Sequence, residues 1–214
     1  MVEVKLPSLR RLSALISDYP GFEKPKPKLE QYVTDPELAA RIAFEAAVRA
    51  CPAIVADFGV GTGLLLYAVA LTGCLAYGIG IDVDEEAVAS AKRNLGERKL
   101  LHLVDLVVGD CRSPPLRRES VDIVVSNPPF GIRSQRGIDT AFVRAALQVS
   151  RVSVISLHAW SEGLPEALAR KAHCRPRLIH MDYQKIPAFL EHHRRRIHRV
   201  KVAIVECRRV EREA

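Results

Sequence analysis

The sequence predicts an α/β domain built on a mostly parallel seven-stranded sheet with an antiparallel edge strand and helices on both faces. From Ile54 onward, short apolar runs alternate with amphipathic segments, which is the pattern of a parallel sheet covered on both sides. A glycine-rich turn follows the first of these strands, as in doubly wound folds that bind nucleotides. The last two strands have no helix between them, so we expect them to pair as an antiparallel hairpin at one edge.

Two helices and a linker are predicted before the sheet. Apolar residues recur at helical spacing over residues 6–17, which predicts a short amphipathic helix. The Pro- and Lys-rich segment 19–28 has no periodicity and is expected to be an extended, solvent-facing linker. Thr34 and Glu37 have the spacing of a capping box and Pro36 falls in the first turn, so a second helix is predicted to begin at Thr34.

The remaining elements alternate along the chain. Strands are predicted over residues 53–58, 75–81, 103–108, 121–126, 151–157, 176–183 and 199–206. Connecting helices are predicted over residues 63–71, 85–97, 138–149 and 162–172. In such a sheet a ligand lies outside the carboxyl ends of the strands, so the loops at those ends are the candidate site.

The ends of the first two strands indicate a nucleoside ligand. Glycines at 59, 61 and 63 let the backbone approach a ligand closely, although a tight turn alone would also require glycine. A dinucleotide fingerprint would place its third glycine where this chain has Leu64, so a ligand without a pyrophosphate, such as S-adenosylmethionine, fits better. Asp82 ends the second strand, where a carboxylate can accept hydrogen bonds from both ribose hydroxyls. The alternative is that Asp82 caps the next helix.

The third strand ends in Gly109-Asp110-Cys111. Asp110 is a candidate acceptor for the amino group of an adenine ring, and the Cys111 N–H is a candidate donor to a ring nitrogen. A simple Asx turn at Asp110 is the alternative.

The fourth strand runs into Asn127-Pro128-Pro129-Phe130. Two consecutive prolines donate no hydrogen bonds, so the strand must stop at Asn127 and the turn that follows is stiff. The Asn127 side-chain oxygen and the Pro128 carbonyl can each accept one hydrogen of an exocyclic amino group, which leaves the nitrogen lone pair free. Phe130 can stack on the flat ring that carries this group. A tight loop after a buried strand is the structural alternative.

Composition limits the class of protein. The 214 residues suffice for one well-buried domain, and the net charge of +7 favours a polyanionic partner such as nucleic acid. Five cysteines show no CxxC or metal-ligand spacing, so we expect reduced thiols in a cytoplasmic protein, with neither disulfides nor a zinc site. No stretch approaches the roughly 20 apolar residues of a membrane span.

Together, the glycine loop, the acidic strand end and the Asn-Pro-Pro-Phe turn resemble Rossmann-like class I methyltransferases that use S-adenosylmethionine and act on amino nitrogen. Three further segments resemble the methyltransferase-like five family, whose members methylate N6 of an adenosine in small-subunit ribosomal RNA: Leu29-Glu30-Gln31-Tyr32, Gly137-Ile138-Asp139 and Ser156-Leu157-His158. The resemblance extends from about residue 22 to residue 206.

This resemblance implies base flipping and direct displacement, with S-adenosyl-L-homocysteine as the product. Residues 1–50 would contribute to the cofactor pocket, and residues 51–214 would form the methyltransferase domain. The catalytic residues would be Asn127, Pro128, Pro129 and Phe130. The cofactor-binding residues would be Gln31, Thr34, Asp57, Gly59, Gly61, Thr62, Asp82, Asp110, Cys111 and Asn127.

The resemblance also implies partners. The basic run His193, Arg194, Arg195 and Arg196 is expected to contact ribosomal RNA, although a solvated charge run is the alternative. A small zinc-binding activator subunit would extend the sheet along the third strand, where the apolar run 102–108 needs cover. Methylation of guanine N2 or of a glutamine side chain, and a non-catalytic RNA-binding module, are the alternative functions.

Overall fold

The structure, a computed structural model, describes residues 5–131, 134–135, 137–187 and 197–210. Strands β1 to β7 span Ala53–Phe58, Leu75–Asp82, Val104–Val108, Val121–Ser126, Ser150–Ala159, Cys174–Pro187 and Ile197–Arg209. Helices α1 to α6 span Leu9–Ile16, Pro36–Arg49, Leu64–Leu71, Glu85–Glu97, Ile138–Val149 and Leu164–Ala167, and α6 continues into a π-helical turn. None of the helices in these residues is long and apolar enough to cross a membrane.

The seven strands form one sheet in the order β3-β2-β1-β4-β5-β7-β6, which confirms the predicted α/β architecture. Strands β1 to β5 are parallel to one another. Strand β7 is antiparallel to both β5 and β6. The antiparallel strand therefore lies one position inside the edge, because β7 folds back between β5 and the outermost strand β6.

Both faces of the sheet are covered by helices. Val55 and Ile123 belong to a core cluster that also contains residues of α1, α2 and α3, while Ala56 and Val124 belong to a second cluster with residues of α5 and α6. Strands buried on both faces are mostly apolar, as β1 and β4 are apart from Asp57, Asp122 and Ser126, because each successive side chain enters one core or the other. The N-terminal helices thus share a core with the sheet.

The predicted start of α2 is wrong by two residues. Helix α2 begins at Pro36, and its N-cap is Asp35, whose Oδ1 accepts a hydrogen bond from the Glu37 N–H at 3.0 Å. Proline at the first helical position favours an extended residue before it, so Asp35 is placed as the cap. Thr34 is thereby left outside the helix, with its hydroxyl available to the site described below.

The expectation of five reduced cysteines is wrong for four of them. Cys51 is bonded to Cys74, and Cys174 to Cys207. The first pair meets because the N–H of Ala53 donates to the Cys74 carbonyl, where β1 and β2 begin side by side. The second pair is brought together by the β6–β7 ladder. Sequence spacing carries no signal for either disulfide, since both depend on strand register. The fifth cysteine, Cys111, is a buried free thiol.

Residues 18–35, here called the N-terminal strap, include the predicted linker 19–28, which is solvent-facing over much of its length but is fixed to the rest of the protein at Tyr19 and Lys26. Tyr19 is 8% exposed, and its hydroxyl donates to the Thr62 carbonyl at 2.9 Å. The Lys26 ammonium lies 2.7 Å from the Asp84 carboxylate at the start of α4. The strap therefore crosses the carboxyl ends of the strands and is fixed to the loops there.

Candidate active site at the carboxyl ends of the parallel strands

A cavity of about 290 Å³ lies where the ends of β1, β2 and β4 meet the strap. This volume is at the lower end of the range found for small-molecule sites. Every residue that the sequence assigns to cofactor binding lines it: Gln31, Thr34, Asp57, Gly59, Gly61, Thr62, Asp82, Asp110, Cys111 and Asn127. Residues up to 96 positions apart in the chain are therefore neighbours in space.

The loop between β1 and α3 requires glycine at two positions. Gly61 and Gly63 have φ angles of 53° and 91°. A Cβ atom added at Gly61 would lie 2.9 Å from the Phe22 ring, and one added at Gly63 would lie 2.9 Å from the Tyr19 hydroxyl. Any side chain would be strained at such φ values and would also displace the strap, so the loop and the strap depend on each other.

Asp82 holds the glycine loop from the end of β2. Its Oδ2 accepts from the Gly61 N–H at 2.9 Å, and its Oδ1 accepts from the Asp84 N–H at 3.0 Å. Burial raises the pKa of Asp82, while the same backbone donors oppose that rise. The N-cap of α4 is Asp84, whose side chain accepts from the Glu86 N–H. The alternative assignment of Asp82 as the helix cap is thus excluded.

Asp57 is a buried carboxylate on the cavity wall. It is 1% exposed, and neither of its carboxylate oxygens has a hydrogen-bond partner among the residues that the structure describes. Burial, and to a smaller extent the neighbouring Asp82, raise the pKa of Asp57 well above its ordinary value. An unpaired buried carboxylate is costly, and a cationic group bound beside it would offset that cost. The cavity at Asp57 therefore suits a positively charged ligand.

Asn127 is fixed at the end of β4 by the strap. Its Nδ2 donates to Thr34 Oγ1 at 2.9 Å, and this hydrogen bond determines which way the amide faces. Its Oδ1 is buried and accepts no hydrogen bond from any residue in the described ranges. An amide oxygen held in this way beside a cavity is an acceptor suited to the N–H of a ligand.

The turn after Asn127 is held by Glu30 of the strap. Glu30 Oε2 accepts from the Phe130 N–H at 2.7 Å, while Oε1 accepts from the Ser134 N–H and hydroxyl at 2.9 and 2.8 Å. The Phe130 ring lies against Tyr32, with ring centroids 5.3 Å apart. The sequence places Glu30 inside a family motif but does not reveal that its carboxylate holds the turn some 100 residues away.

The four residues expected to be catalytic divide into two pairs. Asn127 and Pro129 line the cavity. Pro128 is buried and Phe130 is half-buried, and neither is among the described residues of the lining. The ring of Phe130 is positioned by Tyr32 and its backbone by Glu30.

Two side chains assigned to the cofactor already have partners within the protein. The Gln31 amide donates to Asp84 at 2.6 Å and accepts from the Lys26 N–H at 2.8 Å, so it fixes the strap to α4. Asp110 accepts from the backbone N–H and the guanidinium of Arg112, which lowers the Asp110 pKa. The Asx turn considered as an alternative for Asp110 is therefore present.

Gln184 on β6 is a residue near the site that sequence patterns miss. It is 1% exposed; its Oε1 accepts from the Asp35 N–H at 3.0 Å, and its Nε2 donates to the Val33 carbonyl at 2.9 Å. These bonds hold the residues on either side of Thr34, which in turn orients Asn127. A glutamine in a strand has no local signature for a contact across 149 residues of chain.

Other candidate groups lie outside the cavity. His158 is fully buried in β5 between Asp139 and Ser156, at 3.0 and 2.7 Å, which is a packing role. The described part of the chain contains no group of His, Cys, Asp and Glu side chains suited to a metal ion. The basic run 193–196 lies outside the described residues.

Comparison with known proteins agrees with this geometry. Residues 55–152 match a family model described as a methyltransferase domain. The chain is 37% identical over 156 residues to the rRNA N(6)-adenosine-methyltransferase metl-5 of Caenorhabditis elegans, covering 67% of this chain and 70% of that protein. It is 35% identical over 158 residues to the rRNA N(6)-adenosine-methyltransferase Mettl5 of Drosophila melanogaster, covering 72% of this chain and 73% of that protein.

A solved structure from Pyrococcus horikoshii, described as that of a candidate RNA methyltransferase, has the same architecture. It superposes with a TM-score of 0.80 at 28% identity, covering 98% of this chain and 100% of that one.

Proposed function

The chain belongs to the rRNA N6-adenosine-methyltransferase family, and we propose that it methylates N6 of an adenosine in small-subunit ribosomal RNA, in the cytoplasm, with S-adenosylmethionine as methyl donor. The observation that carries this proposal is the Asn127 amide. Its nitrogen donates a hydrogen bond to the Thr34 hydroxyl. Its oxygen is buried at the cavity, and no described residue donates a hydrogen bond to it. An exocyclic amino group is a donor that matches this acceptor.

The charges of the cavity fit the cofactor. S-adenosylmethionine carries an ammonium group and supplies an electrophilic methyl group on a sulfonium. Asp57 offers two carboxylate oxygens without described partners, which suit the ammonium group. Asp82, at the end of the neighbouring strand, is the candidate acceptor for the ribose hydroxyls, by the geometry that nucleotide-binding folds use.

The Asn-Pro-Pro-Phe turn would act by positioning the target nitrogen. Asn127 Oδ1 and the Pro128 carbonyl would accept its two hydrogens, so that its lone pair is directed at the methyl group. The methyl–sulfur bond would break to leave S-adenosyl-L-homocysteine, and the proton that the nitrogen loses would pass to water. Extruding a base from its stack costs a few kcal/mol, and stacking on Phe130 returns roughly 1 to 3 kcal/mol. Glu30 and Tyr32 hold the turn in its shape before RNA arrives, which lowers the entropy cost of the reaction.

Nucleoside mass analysis of ribosomal RNA treated with the protein and S-adenosylmethionine tests this function. N6-methyladenosine is expected from the wild-type protein. Asn127→Ala should lower turnover by roughly 100-fold or more, because a preorganised contact at the reacting centre is removed. Its affinity for S-adenosylmethionine, measured by calorimetry, should remain near that of the wild type.

The alternative functions give other outcomes in the same experiment. N2-methylguanosine, or methylation of a glutamine in a protein substrate with no modified nucleoside, would overturn the proposal in favour of another amino or amide acceptor. RNA binding without any cofactor affinity would indicate a non-catalytic module.

A small zinc-binding activator subunit is proposed to pair with β3. This strand is at the edge of the sheet, and its last residue, Val108, is 53% exposed. An exposed apolar edge strand is a site for strand addition by a partner and a hazard when uncovered. Val108→Asp should reduce association with the partner, while Val48→Asp, at the 59% exposed Val48 of α2, should not. Full activity and solubility of the isolated chain would refute the proposed activator subunit.

A further inference from the structure

The β6–β7 hairpin projects beyond the sheet on the side of the candidate site. Strand β5 ends at Ala159, which pairs with Val202 of β7. The β6–β7 ladder continues past that point as far as the pair Pro187 and Ile197. Because β6 and β5 are both antiparallel to β7, the end of β6 points in the same direction as the carboxyl ends of the parallel strands.

One face of this projecting part is basic and aromatic. Tyr183 lies opposite Lys201, and Lys185 lies opposite Arg199. Paired residues of an antiparallel ladder share a face, and so do residues two apart in one strand. All four side chains are exposed, and Tyr183 is 54% exposed. Trp160, just after β5, adjoins them with the Lys201 ammonium 5.9 Å from its ring. These five residues are called the hairpin face.

The hairpin face begins where the covering helices end. The preceding pair on the same side is Met181 and Ala203, and Ala203 is buried in the cluster formed with α5 and α6. Trp160 packs against that cluster as a partly buried residue. Beyond the pair Met181 and Ala203, this side of the ladder carries cations and an aromatic ring and is exposed to solvent.

The hairpin face lies past the same edge of the sheet as the Asn-Pro-Pro-Phe turn. Ser126 of β4 pairs with Ser156 of β5, so Trp160 follows the end of β5 as the turn follows the end of β4. The Trp160 N–H donates to the Lys201 carbonyl at 2.8 Å, which places Lys201 at the same height. With strands about 4.8 Å apart, β7 is displaced from β4 by roughly 10 Å and β6 by roughly 14 Å.

We propose that the hairpin face binds the single-stranded RNA that flanks the target nucleotide. Lys185, Arg199 and Lys201 would contact phosphates, and Tyr183 would stack on a base, the combination that single-strand binding surfaces use. This inference rests on the proposed function, since it assigns a route for the RNA that enters the site. It places the route on the β5–β7–β6 side, opposite the β3 edge.

RNA affinity measured over a series of salt concentrations tests the charged residues. The probe is a labelled 20-nucleotide single-stranded RNA. Each lysine that contacts a phosphate contributes about 0.7 to the slope of log affinity against log salt. The double variant Lys185→Ala and Lys201→Ala should therefore reduce the slope by about 1.4. The matched control is Arg170→Ala with Lys171→Ala, two exposed cations just before β6 at the other end of the sheet, which should keep the wild-type slope.

Tyr183→Leu separates stacking from charge. Loss of one stacked base should weaken RNA binding roughly 5- to 150-fold, while the salt slope stays unchanged. Melting temperatures confirm that each variant is folded, and S-adenosylmethionine affinity should match the wild type. If the wild type methylates ribosomal RNA but the lysine and tyrosine variants bind RNA with wild-type affinity and salt slope, the RNA-binding role of the hairpin face is refuted and the proposed function stands. If the wild type binds RNA with the predicted variant effects but methylates no adenosine, the function is refuted and the surface stands.

Discussion

Glu30→Gln is the substitution that most directly tests how the strap controls the candidate site. The Glu30 carboxylate is 7% exposed, and described residues donate three hydrogen bonds to it, one from the Phe130 N–H and two from Ser134. Glutamine has the same shape, but one of its two terminal atoms is a donor. In either orientation of the amide, that donor faces an N–H group, so at least one of the three bonds is lost.

The size of the effect follows from those bonds. A hydrogen bond to a charged group contributes about 1.5–3 kcal/mol. Loss of one such bond lowers the population of the ordered turn by roughly 10- to 150-fold, and turnover should fall by the same factor if only the ordered turn reacts. The loss should appear in the single-turnover rate, because the change affects positioning of the target nitrogen.

The assay is single-turnover methylation of ribosomal RNA at saturating S-adenosylmethionine. Glu37→Gln is the matched control, since Glu37 is exposed in the first turn of α2 and the same chemical change there should be within about 0.5 kcal/mol of neutral. Circular dichroism checks that both variants are folded. A Glu30→Gln rate equal to that of the wild type would refute the view that this carboxylate shapes the turn.

Four further outcomes are expected. Asp82→Ala should weaken S-adenosylmethionine binding by about 1.5–3 kcal/mol, because a charged acceptor is lost; an unchanged calorimetric Kd would remove Asp82 from the cofactor site. Gln184→Leu should lower turnover roughly 5- to 10-fold with little change in cofactor affinity, through loss of a net hydrogen bond of about 1 kcal/mol next to Thr34, and equal kcat values would contradict this. Burial raises the pKa of Glu206, but arginine hydrogen bonds outweigh it and lower that pKa to about 2. The resulting stabilisation is present above the unfolded-state pKa of about 4.3 and is lost as pH falls toward 2, so the urea midpoint should decline more between about pH 5 and pH 3 in the wild type than in Glu206→Gln. Replacing Cys51 and Cys74 by alanine should lower the free energy of unfolding by about 3 kcal/mol, because the bond closes a 23-residue separation, and identical denaturation curves without reductant would rule this out.

The fold could be predicted because its signals are local. The helix start of α4 at Glu85 and the end of β4 at Ser126 are set by residues next to them, an aspartate cap in one case and two prolines in the other. The residues of the cavity could be predicted for a related reason. In a parallel sheet the carboxyl ends of strands share one edge, so Asp57 and Asp82 had to be close once their strands were identified.

The features that sequence reasoning missed are contacts between distant segments. The hydrogen bond between Glu30 and the Phe130 N–H has no counterpart in the periodicity of the sequence. The pairing of Cys174 with Cys207 depends on hairpin register, which the residues near either cysteine do not specify. The sequence predicts a linker over the segment 19–28 of the strap because prolines and lysines there outnumber the buried aromatic residues, of which Tyr19 is one.

The strap touches both halves of the candidate site, and this has a thermodynamic consequence. Gln31 fixes it beside the end of β2, and Glu30, the next residue, fixes the turn after β4. A ligand that orders the strap at the end of β2 also reduces the conformational entropy that a second ligand must remove at the turn after β4. A ligand bound at either strand end should then raise the affinity of the other end for its own ligand, and the factor is the same in both directions because the two binding equilibria are linked. Under the proposed function, Glu30 and Gln31 would thereby couple the methyl-donor side of the site to the acceptor side.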